Sequence, residues 1–259
     1  MNTNNSEVNH LKRRILEASY HAKEGHVASA FSILDLIFVI YEDILRVNHN
    51  VKPELNDRFV LSKGHASLAL YAVLENKGLI GKDLLTTFCQ YNSILGGHPD
   101  TNKVSHIEVS SGSLGHGFPI ALGLAIGSKI KKIDNKIICL IGDGECNEGT
   151  VWETALLASH HNLDNLICIV DFNHSTDRAL SLNDLGSKFR SFGWNVIGIN
   201  GHNHQEISDA LNEKSINKPQ VVIAETVKGK GIKQMEGNPA WHHKSPNKTE
   251  LTEFLKELS

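Results

Sequence analysis

The sequence predicts an α/β fold in three layers: a parallel sheet with helices on both faces. Three observations predict it. Apolar, strand-like runs recur at residues 137–141, 166–172, 195–199 and 221–225. Helical stretches at about residues 151–161, 185–192 and 205–212 lie between them, the rhythm of right-handed crossovers between parallel strands. The runs are also nearly all apolar, as strands covered on both faces must be. A chain of 259 residues that is 40% hydrophobic and 21% charged has ample apolar surface to bury, which excludes extensive disorder.

The elements follow in order. Leu11, Ile15, Ala18 and Ala22 recur at helical spacing in residues 9–24. Glu24-Gly25-His26 breaks that helix, and Ser32 is expected to open a second, apolar one through Ile40. Residues 58–62 predict a short strand ending at Lys63-Gly64-His65, and residues 66–76 the next helix. Lys12-Arg13-Arg14 and residues 129–132 are expected on solvated helix faces. No internal repeat or Pro-rich linker divides the chain, so residues 1–259 are expected to form one domain with a partly separate N-terminal helical portion.

Several functional classes are excluded. A net charge of −3 gives no general attraction to nucleic acid or to an anionic membrane. No apolar stretch approaches a membrane span. The polar N-terminus has no signal-peptide core, which points to the cytoplasm. Cys89, Cys139, Cys146 and Cys168 show no C-x-x-C spacing. Cys139 and Cys168 sit in apolar runs and are expected in the core.

Ligands of open parallel sheets bind beyond the carboxyl ends of the strands. Gly142-Asp143-Gly144 follows one strand, and Asn173-His174-Ser175 follows the next. A carboxylate and an amide oxygen on one edge suit Mg²⁺, which takes oxygen ligands and keeps phosphate oxygens in its shell. Gly142 and Gly144 are expected to let the backbone turn and approach a phosphate. The helix that follows offers free N–H groups to the same anion. Neither G-x-G-x-x-G nor G-x-x-x-x-G-K-[ST] occurs, which turns the reading away from nicotinamide cofactors and nucleoside triphosphates. The spacing therefore predicts a Mg²⁺–diphosphate site. His26, His65 and His98 each directly follow a glycine. On tight turns they could face a pocket and exchange protons near neutral pH. His10, His49, His160 and His161 are assigned to surface or packing, and His116 and His242 are left open.

Gly142-Asp143-Gly144 with Asn173 about thirty residues on resembles the thiamine diphosphate signature, and the remaining motifs narrow the resemblance to transketolases. Gly25-His26-Val27, residues 57–66 (DRFVLSKGHA), Gly97-His98-Pro99, residues 111–117 (SGSLGHG) and residues 241–246 (WHHKSP) match family segments in the right order along nearly the whole chain. The resemblance implies the diphosphate-binding domain of the thiamine diphosphate-binding fold. It implies Asp143, Asn173 and the Ser175 carbonyl as Mg²⁺ ligands, with His65 and His243 on the diphosphate and Gly144 close to it. It places Gly112, Ser113 and Leu114 beside the aminopyrimidine. Glu148 matches a buried acid that couples paired sites. His26, His65, His98 and His243 are implied as catalytic groups.

The same resemblance implies transfer of a two-carbon ketol unit between a ketose and an aldose, on sugar or sugar-phosphate substrates. In the family, the glutamate that activates the aminopyrimidine lies in a second domain. A partner subunit carrying the pyrimidine-binding and C-terminal domains is therefore expected, as in the split bacterial type, in a heterotetramer of two plus two. One departure bears on substrate. The segment after Asn173 is several residues shorter than the family pattern, and Asp177-Arg178-Ala179 stands where Asp-Gly is usual. Another thiamine diphosphate carbon–carbon lyase or ligase of secondary metabolism, and a non-catalytic binding protein that kept the fold, are the alternative readings.

Overall fold

A computed structural model describes residues 2–48, 50–177 and 179–259, so His49 and Arg178 lie outside the described residues. Five strands form one parallel sheet: β1 (Arg58–Leu61), β2 (Ile137–Gly142), β3 (Leu166–Phe172), β4 (Asn195–Asn200) and β5 (Gln220–Glu225), in the order β1-β2-β3-β5-β4. Each expected strand is present within about a residue of its predicted bounds. Every residue of β2 and of β3 is buried, which is why these runs carry no polar alternation.

Successive strand residues face opposite layers. Ile138, Leu140, Ile167, Ile169 and Val222 pack into one apolar cluster; Ile137, Cys139, Leu166, Cys168 and Val221 pack into the other. The first layer holds α1 (Asn2–Ala22), α2 (Val27–Val39), α3 (Ser67–Asn76), α7 (His204–Asn212) and α8 (Lys248–Glu257). The second holds α4 (Gly117–Lys131), α5 (Gly149–His160) and α6 (Leu185–Ser191). The N-terminal helices are therefore not set apart. Leu11, Ile15 and Phe31 share a continuous core with the strands.

Two expectations need correction. Helix α2 starts at Val27, well before Ser32, and every one of its residues is buried. Ser32 is not a cap; its hydroxyl donates to Asp171 within the sheet edge. Lys12 is not solvated either. It is 5% exposed, with its ammonium over the Phe31 ring, and burial lowers its pKa against the pull of Asp35. A long aliphatic stem lets a lysine lie along apolar surface in this way. Residues 129–132 are exposed as expected, and Cys139, Cys146 and Cys168 are buried.

Parallel topology puts all the carboxyl ends on one edge. Lys63 and His65 follow β1, Asp143 follows β2, Asn173 follows β3, Lys228 lies beyond β5 and His202 beyond β4.

Candidate functional site

The pairing of β2 with β3 sets Gly142 opposite Asp171, and the Asp143 N–H donates to the Asp171 carbonyl at 3.1 Å. Asp143, Asn173 and Ser175 consequently line one cavity of about 240 Å³, together with Gly144, Leu114 and His65. A second cavity of similar volume shares Asn173, Ser175, Lys228 and His242 with the first and continues it toward Asn238.

Asp143 caps a short 3₁₀ turn, where its Oδ1 accepts from the Gly144 N–H at 2.7 Å. Its Oδ2 is buried without a hydrogen-bond partner. Burial, and then the charge of Asp171, push its pKa up. A buried carboxylate oxygen with no donor is costly and is chemically suited to a cation. Asn173 offers its Oδ1 toward Ser175, whose N–H lies 3.1 Å away. One carboxylate, one amide oxygen and a nearby carbonyl form a hard-oxygen donor set that fits Mg²⁺. Among the described residues, no three His, Cys, Asp or Glu side chains gather as metal ligands.

Gly142 and Gly144 act differently from expectation. Neither has positive φ, and a Cβ at either would meet only ordinary contacts, the nearest at 3.7 and 3.9 Å. Their backbone turn needs no glycine; what they contribute is open space on the cavity wall. The demanding glycine is Gly115, where φ is 80° and a Cβ would lie 2.6 Å from Thr150 Oγ1. Its N–H donates at 2.8 Å to Glu145, which also accepts from Gly142 N–H at 3.2 Å and from the Ser62 hydroxyl. Glu145, 1% exposed, therefore ties the Leu114 loop to the ends of β1 and β2, and burial raises its pKa.

Four histidines gather at the cavity mouth. His26 stacks on His243 with centroids 4.5 Å apart and meets His65 edge-on at 5.1 Å. His242 lies 5.6 Å from His26 and 6.1 Å from His65. Burial, then the charges of His243 and His242, lower the pKa of His26 to about 4. Burial, then Lys63, lowers that of His65 to about 2. Both rings are neutral at pH 7. His98 is held by backbone: Tyr71 Oη donates to its carbonyl at 3.0 Å, and its ring lies against Gly112.

Asp143, Asn173, Ser175, Gly144, Leu114 and His65 stand on the cavity wall. Gly112 lies beside His98, and Ser113 is exposed, its hydroxyl 3.2 Å from His116 Nδ1. His243, expected on the diphosphate, lies outside the cavity lining, where its Nε2–H donates to Glu24. His242 takes the wall instead, with Lys228 Nζ donating to its Nδ1 at 2.8 Å. Tertiary contacts set the turn: Trp241 is buried against Phe254, and Lys244 pairs with His26 in a β-bridge, so the turn points His242 inward. Glu148 is exposed at the start of α5 rather than buried; the buried acid is Glu145. Lys63, Glu145, Asp171 and Lys228 were not singled out from sequence. The signal was available for Lys63, inside the Ser-Lys-Gly-His segment, and for Asp171, a charge within a β-strand.

Comparison with known proteins shows the family. The family described as transketolase, thiamine diphosphate binding domain, matches residues 3–258, and the chain belongs to it. It is 38% identical over 256 residues to an apulose-4-phosphate transketolase subunit of Phocaeicola vulgatus, covering 96% of this chain and 91% of that one. It is 36% identical to the 6-deoxy-6-sulfo-D-fructose transketolase subunit of a Clostridium species, covering 92% and 89%. The solved transketolase of Campylobacter jejuni superposes with a TM-score of 0.85 at 32% identity, covering 99% of this chain but 43% of that longer one. The chain thus spans less than half of such transketolases and nearly all of the relatives named as subunits. Among the described residues no helix is long and apolar enough to cross a membrane.

Proposed function

We propose that this chain is the Mg²⁺- and thiamine diphosphate-binding subunit of a split transketolase, working in the cytoplasm. With a partner subunit carrying the pyrimidine-binding and C-terminal domains, it transfers a two-carbon ketol unit from a ketose to an aldose. The observation that carries the reading is the unpartnered, buried Oδ2 of Asp143 on the same cavity wall as Asn173 and Ser175.

Asp143, the Asn173 amide oxygen and the Ser175 carbonyl hold Mg²⁺. The Ser175 hydroxyl now on Asn173 Oδ1 is a rotatable donor and can turn away. Lys228 and His242, on the same cavity lining, face the diphosphate, and burial, then Lys63, lowers Lys228 to about 8. Leu114, in the loop anchored by Glu145, borders the aminopyrimidine together with Gly112 and Ser113. Bound thiamine diphosphate supplies the carbon nucleophile for ketol transfer. His26 and His65, kept neutral, each retain a ring nitrogen that accepts hydrogen bonds from sugar hydroxyls; as cations they could only donate. His98 and His243 flank them at the mouth. Exposed Glu148 faces a second copy and couples the paired sites. The names of the relatives support a ketose with a phosphate or sulfonate tail as donor, and a two-plus-two assembly is expected.

The test is to co-purify the chain with the product of the neighbouring thiamine-enzyme gene and titrate thiamine diphosphate by calorimetry, with Mg²⁺ and with chelator. The pair is expected to bind only with Mg²⁺ and to transfer a ketol unit from a phosphorylated or sulfonated ketose. A pair that takes up no thiamine diphosphate overturns the proposal.

A further inference from the structure

Asp171 is fully buried in β3, and its carboxylate is saturated from four elements. Ser32 Oγ on α2 donates to Oδ1 at 2.7 Å, as does the Thr226 hydroxyl beyond β5. Asn173 Nδ2 donates to Oδ2 at 2.8 Å, as does the Lys63 ammonium beyond β1.

The two ends of a primary amide have nearly the same shape, so hydrogen bonding alone decides which way it faces. For Asn173 the decision is unambiguous. Its Nδ2 donates both to Asp171 and to Ser32 Oγ, the latter at 3.0 Å. Turning the amide over would press its oxygen against a carboxylate oxygen with no proton between them. Oδ1 is thereby turned outward, toward Ser175 on the cavity wall. Lys63 also lines the cavity beside Asp143. Released from Asp171, its ammonium could pair with the open Asp143 oxygen and occupy the cation's place.

We propose that Asp171 is the positioning residue of the cation site: it fixes the oxygen end of the Asn173 amide toward the metal and keeps Lys63 away from Asp143. This rests on the Mg²⁺–thiamine diphosphate reading above. The residue touches neither substrate nor metal and acts through its two neighbours, as outer partners of metal ligands do.

The test uses the full chain together with its partner and measures the Mg²⁺ dependence of thiamine diphosphate binding by calorimetry. Thermal unfolding of each variant without ligand serves as the folding control. Asp171→Ala is expected to weaken the apparent Mg²⁺ affinity by about 10–100-fold. Asn173→Asp weakens it as well, because two carboxylates then face each other. The exchange Asp171→Asn with Asn173→Asp restores a donor–acceptor pair and leaves an oxygen for the metal, so affinity returns to within about tenfold of native. Unchanged affinity in Asp171→Ala overturns the inference, as does an exchange variant no tighter than Asn173→Asp alone. Should Asp171→Ala not fold, the exchange variant against Asn173→Asp decides. A native complex that binds no Mg²⁺ or thiamine diphosphate overturns the underlying reading instead.

Discussion

Replacing Asp143 by asparagine, ordinarily the mildest change for a carboxylate, is expected to be as damaging here as alanine. Oδ1 of Asp143 is committed to the Gly144 N–H at 2.7 Å. An asparagine must keep its oxygen there, so its NH₂ group takes the position of the buried, unpartnered Oδ2. A ligand oxygen becomes a donor aimed at the cation. Removing one member of a buried charge pair costs about 3–5 kcal/mol. At about 1.4 kcal/mol per decade, the loss of Mg²⁺ affinity is about two to four orders of magnitude. The assay is thermal unfolding of the assembled complex with thiamine diphosphate, with Mg²⁺ and with chelator. Ligand at about a hundred times its Kd adds about 2.7 kcal/mol, a shift of roughly 5–10 °C for a chain of this size. Asp143→Asn should lose the Mg²⁺-dependent part of that shift. A variant that keeps the full shift refutes the reasoning.

Three further outcomes follow from the structure. Asp35, 6% exposed, accepts from His202 Nδ1 and His204 Nε2, both at 2.8 Å. His202 Nε2 accepts from the Val227 N–H, so the His202 proton sits on Nδ1, and Asp35→Asn must set an amide N–H against one of the two donors. Unfolding in urea should show a loss of about 3 kcal/mol at pH 7. Despite burial, the two imidazoles hold the Asp35 pKa well below 3.8, so its contribution is complete above 3.8 and fades only as pH falls through the lower folded value. Gly115→Ala, at φ 80° with Thr150 2.6 Å from the added carbon, should cost about 2 kcal/mol in the same assay. For His174, burial works downward, but the hydrogen bonds of Asp177 and Glu225 raise its pKa above 6.5. Its contribution to stability is present below 6.5 and is lost as pH rises through the folded value, and an NMR titration should show the raised midpoint.

Strands β2 and β3 were legible because burial on both faces leaves short, nearly unbroken apolar runs bounded by turn residues. The Mg²⁺ donors were legible for a related reason: Asp143 and Asn173 are the first residues past the carboxyl ends of these two strands. Helix α2 was misplaced because a helix buried all round has no amphipathic period to mark its start, and Ser32 resembled a cap while serving Asp171. The exchange of His243 for His242 on the cavity wall turns on how Trp241 is buried. That is a tertiary contact with Phe254 on α8, and no local pattern encodes it. Lys63 and Asp171 lie 108 positions apart, so their pairing depends on strand order, which the sequence alone left open.

One cavity holds charges of both signs, each strained by burial, and this has a consequence for how its two ligands bind. Asp143 has Lys63 nearby, yet burial and then Asp171 raise its pKa, and its Oδ2 has no hydrogen-bond partner. Lys228 lines the same cavity, and burial and then Lys63 lower its pKa to about 8 against the pull of Asp171 and Asp143. Each group is pushed toward its neutral form, so each gains from an added charge of opposite sign. Mg²⁺ alone relieves Asp143 and adds positive charge to a cavity that already holds Lys63 and Lys228. A diphosphate alone relieves Lys228 and sets its own charge against Asp143. Together they relieve both, and phosphate oxygens complete the octahedron that Asp143, Asn173 and Ser175 leave open. The two ligands should therefore bind with positive coupling, and linkage makes it reciprocal: Mg²⁺ tightens thiamine diphosphate by the same factor that thiamine diphosphate tightens Mg²⁺. Couplings of this kind amount to about 1–3 kcal/mol, or roughly 5–150-fold. Calorimetric titrations of the complex in both orders of addition measure the factor twice. Independent binding, with each affinity unchanged by the other ligand, would show that the strained charges of Asp143 and Lys228 do not govern recognition at this site.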